Sequence, residues 1–118
     1  MIRPCSLVYA ADLDGLVQVH MVFRHGDRTP ISPYPNDPYK DYNWPGGLGQ
    51  LTNQGKSRHH DLGAWLRSRY DGWLSEQYSN HEIVVRSTDT DRTLMSAMAN
   101  LAGMYCIIST PFVFWMVD

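Results

Sequence analysis

The stretch Leu16-Val17-Gln18-Val19-His20-Met21-Val22-Phe23 runs without a break into Arg24-His25-Gly26-Asp27-Arg28-Thr29-Pro30, and its reading decides the fold. Val17, Val19, Met21 and Phe23 alternate with Gln18, His20 and Val22, the two-residue period of a β-strand. A glycine shortly past the strand and then a proline mark a sharp exit turn. A long loop follows, with Pro30, Pro33, Pro35, Pro38 and Pro45, closed by Gly46, Gly47 and Gly49. Thr52 suits a helix N-cap. After it Leu62, Trp65, Leu66, Tyr70, Trp73 and Leu74 recur at helical spacing, with Arg58, Arg67 and Asp71 on the wet side. The pattern breaks at Ser79 and Asn80. Ile83 to Val85 is a short β-branched run that reads as a buried parallel strand, ending at Arg86-Ser87-Thr88-Asp89. Thr88 or Asp89 then caps a second helix, whose inner face is expected at Leu94, Met98, Leu101 and Tyr105.

The order strand, loop, helix, strand, helix is a βαβα unit and predicts an α/β fold with a parallel sheet and right-handed crossovers. Ligands of such sheets sit at the carboxyl ends of the strands. Both strands here end in arginine-bearing turns, at Arg24 and Arg86. Guanidiniums gathered on neighbouring strand ends repel one another unless an anion lies between them. Their planar fork matches phosphate oxygens and stays charged at any working pH. A neutral imidazole nitrogen among them, from His25, is a nucleophile. Phosphoryl transfer asks mainly for positioning and for charge around the three equatorial oxygens. Gly26 lets the backbone approach a phosphate closely.

The bulk properties agree with one small soluble domain. The chain has 118 residues, 43% hydrophobic and 19% charged, with a net charge of -2 and no block of like charges. Nothing in this balance forms an electrostatic footprint for nucleic acid. No apolar run reaches the roughly 18 residues of a membrane span. Cys5 and Cys106 leave three states open: paired with each other, paired elsewhere, or free. The apolar stretch Cys5 to Ala11, after Arg3, is at the short end of a signal-peptide core and reads equally as a lead-in to the first strand.

Arg24 to Pro30 resembles the signature of the histidine acid phosphatases, the branch of the histidine phosphatase superfamily that includes lysosomal and prostatic acid phosphatases and phytases. The likeness continues in YPNDPYKDYNWPGGLGQLTNQG (34–55), LGAWLRSRY (62–70) and VRSTDTDRTLMSAMANLAG (85–103) and is closest to the animal enzymes. The resemblance implies a phosphoglycerate-mutase-like parallel sheet sandwiched by helices, of which this chain holds a partial βαβα unit. It implies His25 as the nucleophile that forms a phosphohistidine, and Arg24, Arg28 and Arg86 as phosphate-binding residues. It implies a phosphate monoester as substrate, no metal or organic cofactor, and a secreted or lysosomal location. A homodimer stays open for the full-length protein. The mutase branch shares the Arg-His-Gly core, but Arg28, Pro30 and the setting of Arg86 fit it poorly.

By this resemblance the chain divides into a lead-in or signal remnant (1–16), the N-terminal part of the phosphatase domain (17–105) and a divergent apolar tail (106–118). The tail, Cys106 to Asp118, leaves the family pattern, as expected of an alternative or misjoined message, with an added strand as the other reading. The family also takes a second histidine and an adjacent aspartate, its proton donor, from a downstream His-Asp pair. His60-Asp61 repeats that dipeptide inside the first helix and reads as a solvated helix edge. His20, His59 and His81 read as ordinary polar positions, and Asp27 fills the variable place in the signature. The expectation is therefore a chain that binds phosphate and turns over slowly or not at all, the alternative being a non-catalytic product that binds phosphate or a partner.

Overall fold

The computed structural model describes residues 13–105. Two helices, α1 (Asn53–Arg69) and α2 (Asp91–Met104), pack on each other and organise everything between them. The expected cap of α1 is present. Thr52 has an extended backbone, and its Oγ1 accepts the Gly55 amide at 3.0 Å. The same hydroxyl donates to the Asp27 carbonyl at 2.9 Å, and the Thr52 amide donates to that oxygen at 2.8 Å. One threonine thus starts the helix and holds the signature loop. Thr52→Ala is expected to lower stability by about 1–2 kcal/mol, the combined loss of a cap and of the loop bond. The urea midpoint should fall accordingly, while Thr52→Ser stays near wild type.

The helices meet backbone to backbone. A Cβ added to Gly63 would strike the Asn100 carbonyl of α2, and one added to Gly103 would strike the His60 carbonyl of α1. The buried face of α2 accordingly carries small and polar residues, Ser96, Ala97 and Asn100, before Leu101 and Met104. This corrects the expected inner face. Leu101 and Tyr105 are buried as read, but Met98 is 52% exposed. A seam this close has no room for a long side chain. Trp65 is likewise 53% exposed, because the buried line of α1 runs through Gly55, His59, Gly63 and Leu66 and leaves it at the edge. At one end of the seam Leu66, Leu101, Met104 and Tyr105 form the apolar core, joined by Leu62, Tyr70, Leu74, Tyr78, Ile83 and Val85.

The cap of α2 also differs from the reading. Thr90, not Thr88 or Asp89, precedes the helix and makes no side-chain bond to its amides. Its hydroxyl meets that of Thr93 at 2.8 Å, and Thr93 donates to the Thr88 carbonyl at 2.7 Å.

The two expected strands are where the structure departs furthest from the sequence reading. Among the described residues no strand forms, and the single β-bridge is an antiparallel one between Arg28 and Leu51. Residues 16–23 and 83–85 are neither helical nor paired. Val17 and Val84 are each 89% exposed, and Val22 is fully exposed. Alternating and β-branched residues favour an extended chain, but a sheet needs a neighbour about 4.8 Å away with matching N–H and C=O groups. These two segments do not supply it to each other. The first is anchored instead by Trp73, whose Nε1–H donates to the Leu16 carbonyl at 2.9 Å. The sheet of the α/β reading is thus not seen among these residues. The lead-in up to residue 12, the tail 106–118 and both cysteines lie outside the described residues.

Candidate active site

The signature loop is stitched to its surroundings from three directions. On one side Thr29 donates its amide to the Gln50 carbonyl at 3.0 Å and its hydroxyl to the Gly47 carbonyl at 2.7 Å, while the Gln50 amide donates to that hydroxyl. Gly49, at φ 72°, turns its amide to the Pro30 carbonyl at 2.7 Å, a conformation that favours glycine. Below the loop lies α1. A Cβ on Gly26 would come within 2.6 Å of the Gly55 carbonyl oxygen, so these two glycines set the approach of loop to helix. From α2 the fully buried Ser96 reaches across. Its Oγ accepts the Gly26 amide at 3.0 Å and donates to the Arg92 carbonyl at 2.7 Å.

A cavity of about 470 Å³ opens over this loop, lined by residues 23–28 on one side and by Arg58, His59 and Leu62 of α1 on the other. Arg24, His25 and Arg28 are therefore brought together as expected. Arg28 donates from Nη1, one of the two terminal nitrogens of its guanidinium, to the Thr29 carbonyl at 2.9 Å. Arg86 is exposed and is not part of this lining. His60 and Asp61 also lie outside it. Their side chains are 56% and 76% exposed, in keeping with a solvated helix edge.

His25 is half-buried, and its Nδ1 lies 2.8 Å from the Gly26 carbonyl oxygen. A carbonyl accepts and cannot donate, so Nδ1 carries the hydrogen in this bond. In the neutral ring Nε2 then holds the lone pair, which is the arrangement a nucleophilic imidazole needs.

Two lining residues escaped the sequence reading. His59, taken for an ordinary helix polar, is 6% exposed, and its ring packs on Phe23 with centroids 5.3 Å apart. It thereby props the residue before Arg24. The signal was there: Gly55, His59, Leu62 and Leu66 recur at spacings of three and four, one face of the helix. Arg58, taken for the wet side, pairs through Nη1 with Asp27 Oδ2 at 2.7 Å. The lining holds three arginines against one carboxylate, an excess of positive charge fitted to an anion. No group of three or more metal-ligating side chains occurs among the described residues, and none of their helices is long and apolar enough to cross a membrane.

Residues 15–108 match the family model described as histidine phosphatase superfamily, branch 2. The chain belongs to that family. It is 51% identical over 105 residues to the prostatic acid phosphatase of Bos taurus, covering 84% of this chain and 27% of the relative. It is 61% identical over 87 residues to the lysosomal acid phosphatase of Xenopus laevis, covering 74% and 20%. With the lysosomal acid phosphatase of Homo sapiens it shares 55% over 87 residues, covering 74% and 21%. The chain thus spans about a fifth to a quarter of the length of these relatives. Family membership carries an α/β fold class. The segment matched to the family model holds the whole signature loop and both helices that support it.

Proposed function

We propose that this chain supplies the nucleophile and phosphate-binding loop of an acid phosphatase acting on phosphate monoesters. His25 Nε2 attacks phosphorus. The new P–N bond forms as the ester P–O bond breaks, and the alcohol leaves with its electron pair and takes a proton. Water then cleaves the P–N bond, releasing phosphate and the imidazole. Arg24 and Arg28 neutralise the equatorial oxygens, while Arg86, the third arginine of the resemblance, lies outside this cavity lining. The observation that carries the reading is the Nδ1–H of His25 tied to the Gly26 carbonyl, which leaves Nε2 free of that bond in a cavity that Arg24 and Arg28 also line. The relatives named as acid phosphatases support the reaction, and their lysosomal and prostatic names favour a secreted or lysosomal location.

A specific observation favours slow turnover by these 118 residues. Among the described residues the lining has one acid, Asp27, and its carboxylate is paired with Arg58 at 2.7 Å. Without a general acid the alcohol departs unassisted, which typically costs ~10²–10⁴-fold in rate. An aryl phosphate, with its good leaving group, is the substrate of choice. At about pH 5 the chain is expected to release aryl alcohol slowly and to accumulate an acid-labile phosphoryl label on itself, and vanadate or phosphate should raise its Tm. No label and no shift in Tm would exclude the phosphatase reading. A Tm shift without a label would leave the phosphate-binding alternative standing in its place.

A further inference from the structure

The phosphoryl-binding loop does not account for every charge in the cavity. Arg58 comes from a different element, on the face of α1 that carries Gly55, His59 and Leu62, and reaches the edge of the loop at Asp27. Its side chain is 63% exposed, so it sits at the rim. Its one ion pair, to the 46% exposed Asp27, uses Nη1. An exposed pair of this kind is weak and exchangeable. A guanidinium has five N–H donors in a planar fork, which leaves a face for a second carboxylate or phosphate. The cavity volume of about 470 Å³ falls in the range that holds whole small molecules, so the alcohol part of an ester lies within reach of the rim.

We propose that Arg58 determines substrate specificity: it receives a second anionic group on the alcohol part of the substrate, so the site favours phosphate monoesters that carry a further carboxylate or phosphate. This rests on the phosphatase reading above. Asp27 is the internal competitor. It holds the guanidinium at the rim when the site is empty and weakens the preference by occupying part of the fork.

The test compares two esters of one carbon skeleton, 3-phosphoglycerate and glycerol 3-phosphate, which differ by a carboxylate against a neutral alcohol. Dissociation constants are measured by titration calorimetry on the whole chain, with inorganic phosphate as reference. Wild type is expected to bind 3-phosphoglycerate about three- to fivefold more tightly, the size of one exposed charge contact. The ratio should fall to about one in Arg58→Gln and rise above wild type in Asp27→Asn. It should also shrink with added salt, since the contact is exposed. Equal affinity for the two esters in wild type overturns the inference, and so does a ratio that survives Arg58→Gln. Loss of glycerol 3-phosphate binding in Arg58→Gln overturns it too, by assigning Arg58 to the phosphoryl group itself. If wild type binds neither ester nor inorganic phosphate, the phosphatase reading fails and takes the inference with it.

Discussion

Gly63→Ala is expected to lower the Tm of the chain by roughly 10–20 °C, a large effect for a single added methyl. The added Cβ would meet the Asn100 carbonyl and lie within 2.9 Å of the Met104 amide nitrogen. Both are helix backbone atoms, which cannot swing aside as the end of a side chain can. The helices must then separate, and separation opens the cluster of Leu66, Leu101, Met104 and Tyr105 just beyond the crossing. Overpacking of a close-packed core commonly costs about 1–3 kcal/mol, a large share of the stability of a small domain. Gly103→Ala presses on the same seam from the other helix, against His60, so its effect should match. The double variant should cost less than the sum, because one separation relieves both clashes. Ser57→Ala, on the exposed side of α1, serves as the control and should melt with wild type. A Gly63→Ala chain that also melts with wild type would show that the helices do not meet at these glycines.

That crossing explains which parts of the molecule could be read from its letters. Thr52 declared the start of α1 because capping is a matter of four consecutive residues. Arg24 to Pro30 declared the loop because signature, turn and charge lie within seven residues. The face of α2 was misread at Met98 because the periodicity of large apolar residues points to a bulky interface, and this interface is built from Gly63, Gly103, Ser96 and Ala97. A glycine inside a helical pattern is a cost in isolation, and only its partner across the seam shows what it provides. The strand pattern could be read in the letters but a sheet could not, since pairing belongs to two segments and neither 16–23 nor 83–85 contains its neighbour. At the site, Arg24, His25 and Arg28 were legible for the same local reason. Arg58 was not, because its partner Asp27 lies on the far side of the long proline-rich loop. Arg86 follows a segment that should be a strand, and its exposed place goes with the missing pairing of that segment.

His25→Ala is expected to abolish phosphoryl capture, by about 10³-fold or more, while leaving phosphate binding largely in place. The two effects separate because they rest on different groups. On the proposed mechanism binding comes from the guanidiniums of Arg24 and Arg28, which the substitution leaves in place. On the same mechanism bond formation comes from Nε2, whose placement traces back through a short chain of contacts. Ser96 accepts the Gly26 amide, Gly55 fixes how close Gly26 comes to α1, and the Gly26 carbonyl takes the hydrogen of Nδ1. The ring is thereby tied at Nδ1 before any substrate arrives. Deleting the side chain leaves a space of imidazole size among the same arginines. Added imidazole should enter it and restore release of aryl alcohol from an aryl phosphate, with the phosphoryl group now carried off on free imidazole rather than on the protein. Small amines of similar basicity but different shape should rescue poorly. The measurement is alcohol release with and without imidazole, beside the phosphoryl content of the chain and the rise in Tm on adding vanadate. A His25→Ala chain that still becomes labelled would place the nucleophile elsewhere, on His59 or His60, and the loop would then be a binding site alone.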